Sequence, residues 1–361
     1  MLLPGPEALQ LAIYLGWKLH GIRGGIVAGL GFILPAVLLL FALSYVYVAH
    51  GASPWISGLL FGLQAAVIAL VLQAIVRIGR RALRTPLHIA LALASFLALE
   101  FAGVPFPVVL LIAAIVGAAM TRTAPGLPPV PTASPTPATQ SRKVAAAGLA
   151  LWLLPLLLVA ATLGIDSLWG RVYLFFTKAA LITFGGAYAV LGYVTTQLVD
   201  NLALVTAEQS AAGLALAETT PGPLVIVLQF MGFMAGWNQP GQFTPLGSAL
   251  LAGVLATWAT FLPSFIFILL GAPHVERLTR NARMEAVLGA ITAAVVGVIA
   301  TLALLLAQVV LFPEGWQSAP DWRAIVLAGA SWFALERARW PLPWVLVAAA
   351  LAGLLLSLLQ Q

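Results

Sequence analysis

Runs of about 17 to 25 apolar residues recur along the whole of this chain, separated by short polar or basic stretches. Each run is long enough to cross a bilayer core of ~30 Å. The pattern predicts a short helix at 6–19 and spans at 25–48, 56–78, 86–102 and 106–120. Residues 121–143 break it with six prolines among Ser, Thr and Ala, and read as a solvated, extended linker. Beyond it the apolar pattern resumes at 144–164 and 171–199, followed by a short amphipathic piece at 207–217 and a further segment at 223–237; this segment and 6–19 are read as either spanning or re-entrant. Four more spans follow at 246–270, 284–311, 321–335 and 343–359. The predicted fold class is an all-α polytopic membrane protein.

Composition supports that solvent: 62% of residues are hydrophobic and 8% charged, too few to cover the chain with a polar surface in water. The net charge of +6 does not point to nucleic acid, because the basic residues cluster between apolar runs as they do in cytoplasmic loops. Lys18 with Arg23, Arg77 with Arg80, Arg81 and Arg84, and Arg122 with Arg142 and Lys143 are the first-half clusters. Arg277, Arg280 and Arg283, then Arg337 and Arg339, are the second-half ones. Alternate threading places all five on one side, the cytoplasmic side of a plasma (inner) membrane, and leaves Arg171 near the outer surface. The absence of cysteine excludes thiolate metal sites and cysteine nucleophiles.

Two Pro-Gly-Pro breaks punctuate the pattern, Pro4-Gly5-Pro6 and Pro221-Gly222-Pro223, and similar apolar segments follow both in the same order. Ala28-Gly29 with Leu34-Pro35 matches Ala252-Gly253 with Leu262-Pro263, and Gln64-Ala65-Ala66-Val67 matches Thr292-Ala293-Ala294-Val295. The threading runs 25–48 and 246–270 in opposite directions, so the expectation is two inverted-topology repeats. Paired helix breaks in such repeats point to a substrate site between the halves. The division expected is a first repeat at 1–121, the linker at 122–143, an inverting span at 144–169 and a second repeat at 170–361. Roughly fifty residues precede the second break within its repeat and three precede the first, so the first repeat is expected to lack its opening segment.

Other chemistry is poorly represented. His20, His50, His88 and His274 are scattered without metal-ligand spacing, and no Gly-x-Ser-x-Gly, His-Glu-x-x-His or P-loop occurs. The chain is therefore read as a transporter, with no enzyme activity and no cofactor or metal. Glu100 is expected at an interface, and Asp200, Glu208 and Glu276 as solvated charges.

The segment from Leu3 to Ala8, continued by Gln10-Leu11-Ala12 and Tyr14-Leu15-Gly16-Trp17, resembles the first-half signature of the chromate transporter family. Thr183 to Leu191, with Phe184-Gly185-Gly186 and Tyr188, is similar to its second-half Phe-Gly-Gly motif, and Thr219-Thr220-Pro221-Gly222-Pro223 to its second Pro-Gly-Pro. The resemblance covers nearly the whole chain apart from the linker. It implies efflux of chromate from the cytoplasm, with sulfate or another oxyanion as the alternative substrate and an inactive truncated protein as the alternative state. Partners implied are the substrate anion and the lipid bilayer, with no nucleic acid; a homodimer is left open.

Tetrahedral dianions need donors aimed at their oxygens, and a helix that starts inside the membrane supplies unpaired N–H groups and a favourable dipole. Proline in the first turn gives up only an N–H without a helical partner, and glycine lets backbone come close to a ligand. Pro4, Gly5, Pro6 and Glu7, and Thr219, Thr220, Pro221, Gly222 and Pro223, are thus expected to line the substrate site. Phe184, Gly185, Gly186 and Tyr188 are expected to cross them, and Lys178 to attract the dianion. Glu7 and Glu218, flanking the breaks, are the candidates for proton coupling.

Overall fold

A backbone in lipid has no water to bond, so each apolar segment satisfies its own N–H and C=O groups by coiling into a helix. The computed structural model describes residues 5–120, 138–182, 186–272 and 282–359. Among them it has thirteen α-helices and no strand. They are α1 (Glu7–His50), α2 (Pro54–Ala82), α3 (Pro86–Glu100), α4 (Phe106–Met120), α5 (Ala138–Thr162), α6 (Leu168–Ile182) and α7 (Ala187–Thr196). A π-helical turn, Gln197–Asn201, leads to α8 (Ala207–Thr219), and a 3₁₀ turn, Leu224–Ile226, opens α9 (Val227–Asn238). The last four are α10 (Pro245–Gly271), α11 (Ala282–Leu311), α12 (Trp322–Glu336) and α13 (Leu342–Leu358). Segments of α1, α2, α5, α10 and α11 are long and apolar enough to cross a membrane. Outward-facing Leu19, Val27 and Leu38 are 75%, 70% and 68% exposed, a surface suited to lipid contact.

Several elements differ from the pattern-based expectation. α3 and α4 have 15 residues each, about 22 Å of helix, which falls short of the ~30 Å core. α5 starts at Ala138, so the end of the expected linker is already helix; residues 121–137 lie outside those described. α8 is no amphipathic surface piece, because every residue from 210 to 217 is buried.

The largest difference concerns 171–199, expected as one span. α6 and α7 are antiparallel legs, with Phe175 and Tyr193 stacked at 6.0 Å between them. Trp169, at the start of α6, meets Phe243 beyond α9. Asn238 at the end of α9 donates to the carbonyl of Leu204, just past the π turn that ends α7. Both ends of the α6–α7 pair therefore sit at one end of the molecule. α8 and α9 fold back in the same way about Gly222, since a Cβ at Gly213 would press on the Phe230 ring. α1 is a third hairpin: His20 and Gly21 leave helical geometry, and Gly16 on the short leg packs on Gly24 of the long one. A two-leg hairpin returns the chain to the side it left, so replacing single spans at 171–199 and 223–237 by hairpins leaves the direction of every later span unchanged.

Contacts between the halves come in matched pairs. α1 and α10 are antiparallel, with Gly25 against Leu269 and Gly253 against Phe41. Gly117 of α4 sits on Ala286 and Ala290 of α11, and Gly353 of α13 sits on Gly58 and Gly62 of α2. One constant shift in residue number carries Gln64 to Thr292, Gly58 to Ala286, Gly62 to Ala290 and Gly25 to Gly253. The mate of Ala252-Gly253 is therefore Gly24-Gly25 rather than Ala28-Gly29, and no extra residues are needed before Pro263. Each half thus lays its last two helices on the other half's long helix: α3 and α4 on α11, α12 and α13 on α2.

Candidate functional site

The same reciprocity governs the two breaks. Gly5 lies on Ser264, directly after Pro263 in α10, where a Cβ on the glycine would collide with the serine Oγ. Gly222 lies on Ala36, directly after Pro35 in α1, where a Cβ would come within 2.6 Å of the alanine Cβ. Ser264 and Ala36 are related by the constant shift already described. Each break thus docks at the proline of the opposite half. Gly5 has φ +127° and Gly222 φ +152°, so glycine is required there for backbone conformation as well as for space.

Five helices that start at loops are capped by side chains, of Ser53, Thr85, Thr206, Thr244 and Asp321. The starts at the breaks are not: Pro6 and Pro223 offer no cap, nor does Gly186 at φ +108°. Their first N–H groups therefore point into the protein without a side-chain acceptor.

The structure brings several of the expected residues together. Tyr188, just past the Gly186 break, donates from its hydroxyl to Glu218 Oε1 at 2.6 Å, tying the α6–α7 hairpin to the second Pro-Gly-Pro. α7 also packs on the 3₁₀ turn at Leu224–Ile226. Thr219 and Thr220 both donate to the carbonyl of Leu216, at 2.8 and 2.9 Å, so their protons close the end of α8. Pro221 and Gly222 are exposed, whereas Gly5, Pro6 and Pro223 are buried. Glu7 is exposed beside the first break. Lys178 is exposed too, while Ala179 and Ala180 beside it are buried, so its side chain leaves the packed face of α6 and bonds none of the other named residues. Pro4, Phe184 and Gly185 lie outside the described residues.

Residues that sequence reasoning passed over complete the site. Arg77, read as one of a cytoplasmic cluster, interacts electrostatically with both Tyr188 and Glu218. Gln229, 1% exposed on α9, donates from Nε2 to the carbonyl of Val37 at 3.0 Å, two residues past Pro35, and its Oε1 has no partner among the described residues. Gln10 brings its Nε2 next to Gly5. A prolyl residue in each partner helix was the one sequence signal available. Glu100, Asp200 and Glu208, read as separate interfacial or solvated charges, line a single cavity of about 770 Å³ at the end where α3, α7 and α11 meet. Among the described residues no cluster of His, Asp and Glu could hold a metal ion.

The family model described as chromate transporter matches residues 1–118 and 170–354. A chromate transport protein of Pseudomonas aeruginosa is 35% identical over 97% of this chain and 79% of its own length. A chromate transport protein of Cupriavidus metallidurans is 28% identical over 85% of this chain and 70% of its own. No solved structure matches.

Proposed function

The chain belongs to the chromate transporter family, and on that premise we propose that this multi-pass membrane protein exports a tetrahedral oxyanion, chromate first, from a site formed where the two breaks meet the opposite half. The family is one of transporters, and membership supports chromate-like anions as cargo. The finer reading rests on one observation above all: Gly5 on Ser264 and Gly222 on Ala36 are the same contact made twice, with the halves exchanged.

In this reading 1–121 and 170–361 are inverted repeats, 122–143 joins them in the cytoplasm and 144–169 restores direction. Helix starts without side-chain caps supply N–H donors to the anion, and their dipoles oppose its charge. Gly5, Pro6, Gly186, Tyr188, Gly222 and Pro223 shape the site, with Pro4, Phe184 and Gly185 assigned by family resemblance. Glu218 carries a coupling proton, held by Tyr188 and close to Arg77. A carboxylate beside a dianion repels it unless protonated, which links proton and substrate. Glu7 and Lys178 take outer roles, as exposed charges that attend entry. The exposed second break shares its surroundings with Arg77, so access in this conformation is from the side of the basic clusters.

Purified protein in liposomes tests this. Preloaded sulfate should exchange for radiolabelled sulfate, and chromate should compete better than phosphate or chloride. Vesicles that exchange no tetrahedral dianion above the protein-free background would remove the proposal.

A further inference from the structure

The two reciprocal contacts are equal in backbone and unequal in chemistry. At the first break the opposing helix presents Ser264, and one turn earlier Thr260. At the second break the equivalent positions are Ala36 and Phe32. Only one of the two docking points, then, brings hydroxyl groups to a helix start.

Neither hydroxyl is bonded within its own helix. A buried Ser or Thr in a helix ordinarily donates to the carbonyl four residues back. Buried Ser44, half-buried Thr257 and Thr292 and exposed Thr162 all do so here, at 2.6 to 2.7 Å. Thr260 and Ser264 do not, although they are 3% and 1% exposed, and neither oxygen has a hydrogen-bond partner among the described residues; Thr177, Ser210 and Ser248 are likewise unpaired, and Ser264 differs from them in facing the first break. Leaving a buried hydroxyl unpaired is unfavourable. Ser264 Oγ is directed at Gly5, the residue that precedes the uncapped start of α1.

We propose, resting on the transport reading above, that Ser264 and Thr260 are substrate-binding residues that donate to the oxyanion together with the N–H groups following Pro6. The anion is thus bound from the first break, and the second break, with Glu218 and Tyr188, serves protonation. Gly5 touches Ser264 in this conformation, so an anion enters between them only as the short leg of α1 withdraws from α10. Binding and movement of that hairpin are then one event.

The test is equilibrium binding of radiolabelled sulfate and of chromate to purified protein in detergent. Ser264→Ala and Thr260→Val each weaken binding by about tenfold or more, as loss of a hydrogen bond to a charged group predicts. Thr260→Ser, which keeps the hydroxyl, binds within about threefold of wild type, and so does Phe32→Leu at the mirror position. Melting midpoints of all four variants separate a lost contact from a damaged fold, and Thr260→Val is the nearly isosteric check. Wild-type affinity in both Ser264→Ala and Thr260→Val would overturn the inference while leaving the transport reading intact. Failure of the wild-type protein to bind either anion would remove the transport reading, and this inference with it.

Discussion

Tyr188 and Glu218 stand thirty positions apart in the chain and join the two breaks of the second half through a 2.6 Å hydrogen bond. If Glu218 carries the coupling proton, Glu218→Gln fixes it in a neutral state. Sulfate exchange between preloaded and external pools then continues, while uptake driven by an imposed pH gradient is lost. Persistence of gradient-driven uptake in Glu218→Gln would assign the proton elsewhere. A second residue-scale prediction concerns the loop before α12. Asp321 caps that helix and takes both Nε and Nη2 of Arg323, at 2.9 and 2.7 Å, while the guanidinium lies over the Phe61 ring of α2. The Arg323 hydrogen bond holds the Asp321 carboxyl below its usual range, and burial opposes this only in part. A carboxyl depressed by folding contributes stability above its unfolded value and loses it as pH falls through the folded one. Asp321→Asn keeps a cap and loses the ion pair, so it should lower stability by up to about 1 kcal/mol at neutral pH, with the difference in melting midpoint narrowing below about pH 4. At this scale the sequence was only partly informative. Pro-Gly-Pro and Phe-Gly-Gly stand out because proline and glycine constrain backbone wherever they occur. Ser264 and Thr260 are small polar residues within an apolar run, and Arg77 is one arginine of a cluster; their significance arises only from what packing sets opposite them.

Glycine spacing controls how the elements meet. Cβ atoms at Gly62 and Gly353 would strike backbone of the facing helix, and one at Gly117 would press on α11 within 2.7 Å. Gly353→Leu should force α13 off α2, and Gly117→Leu should force α4 off α11, each costing about 1–3 kcal/mol by overpacking. Gly329→Leu on α12, with nothing within 4 Å of its Cβ position, serves as the control and should leave the melting midpoint near wild type. Equal loss of stability in all three would mean that helix propensity, not interlocking of the halves, is being measured. Most elements were legible from hydrophobic runs because lipid permits little else than helix. Re-entry was an open alternative at the two Pro-Gly-Pro segments, but folding back of 171–199 was not legible. The apolar pattern of 171–199 is as continuous in a hairpin as in a span, since both legs are surrounded by apolar atoms. The buried α8 misled for a related reason: its Ala and Gly residues let it pack all round, while Glu208 and Gln209 at its start suggested a wet face.

Across the whole molecule, short words of sequence suggested a repeat order, but the interlocking of the helices was not visible in them. Arg80 and Glu336 approach to 3.7 Å, so a basic cluster of the first half and the end of α12 in the second lie at one end of the protein. That end is assigned to the cytoplasm. The chain has no cysteine, so single cysteines report their own location. Asp166→Cys, in the loop between α5 and α6, should react with an impermeant maleimide in intact cells, and Arg84→Cys only after permeabilisation; the reverse pattern would invert the orientation. The most direct measurement of the central claim is the position of a heavy tetrahedral dianion, tungstate, located by its anomalous scattering in crystals of this protein. The account places it between the first break and α10, within hydrogen-bond reach of Ser264 Oγ and of the N–H groups that follow Pro6. A tungstate bound instead at Lys178, or in the acidic cavity beside Glu100 and Asp200, with none at the breaks, would contradict it.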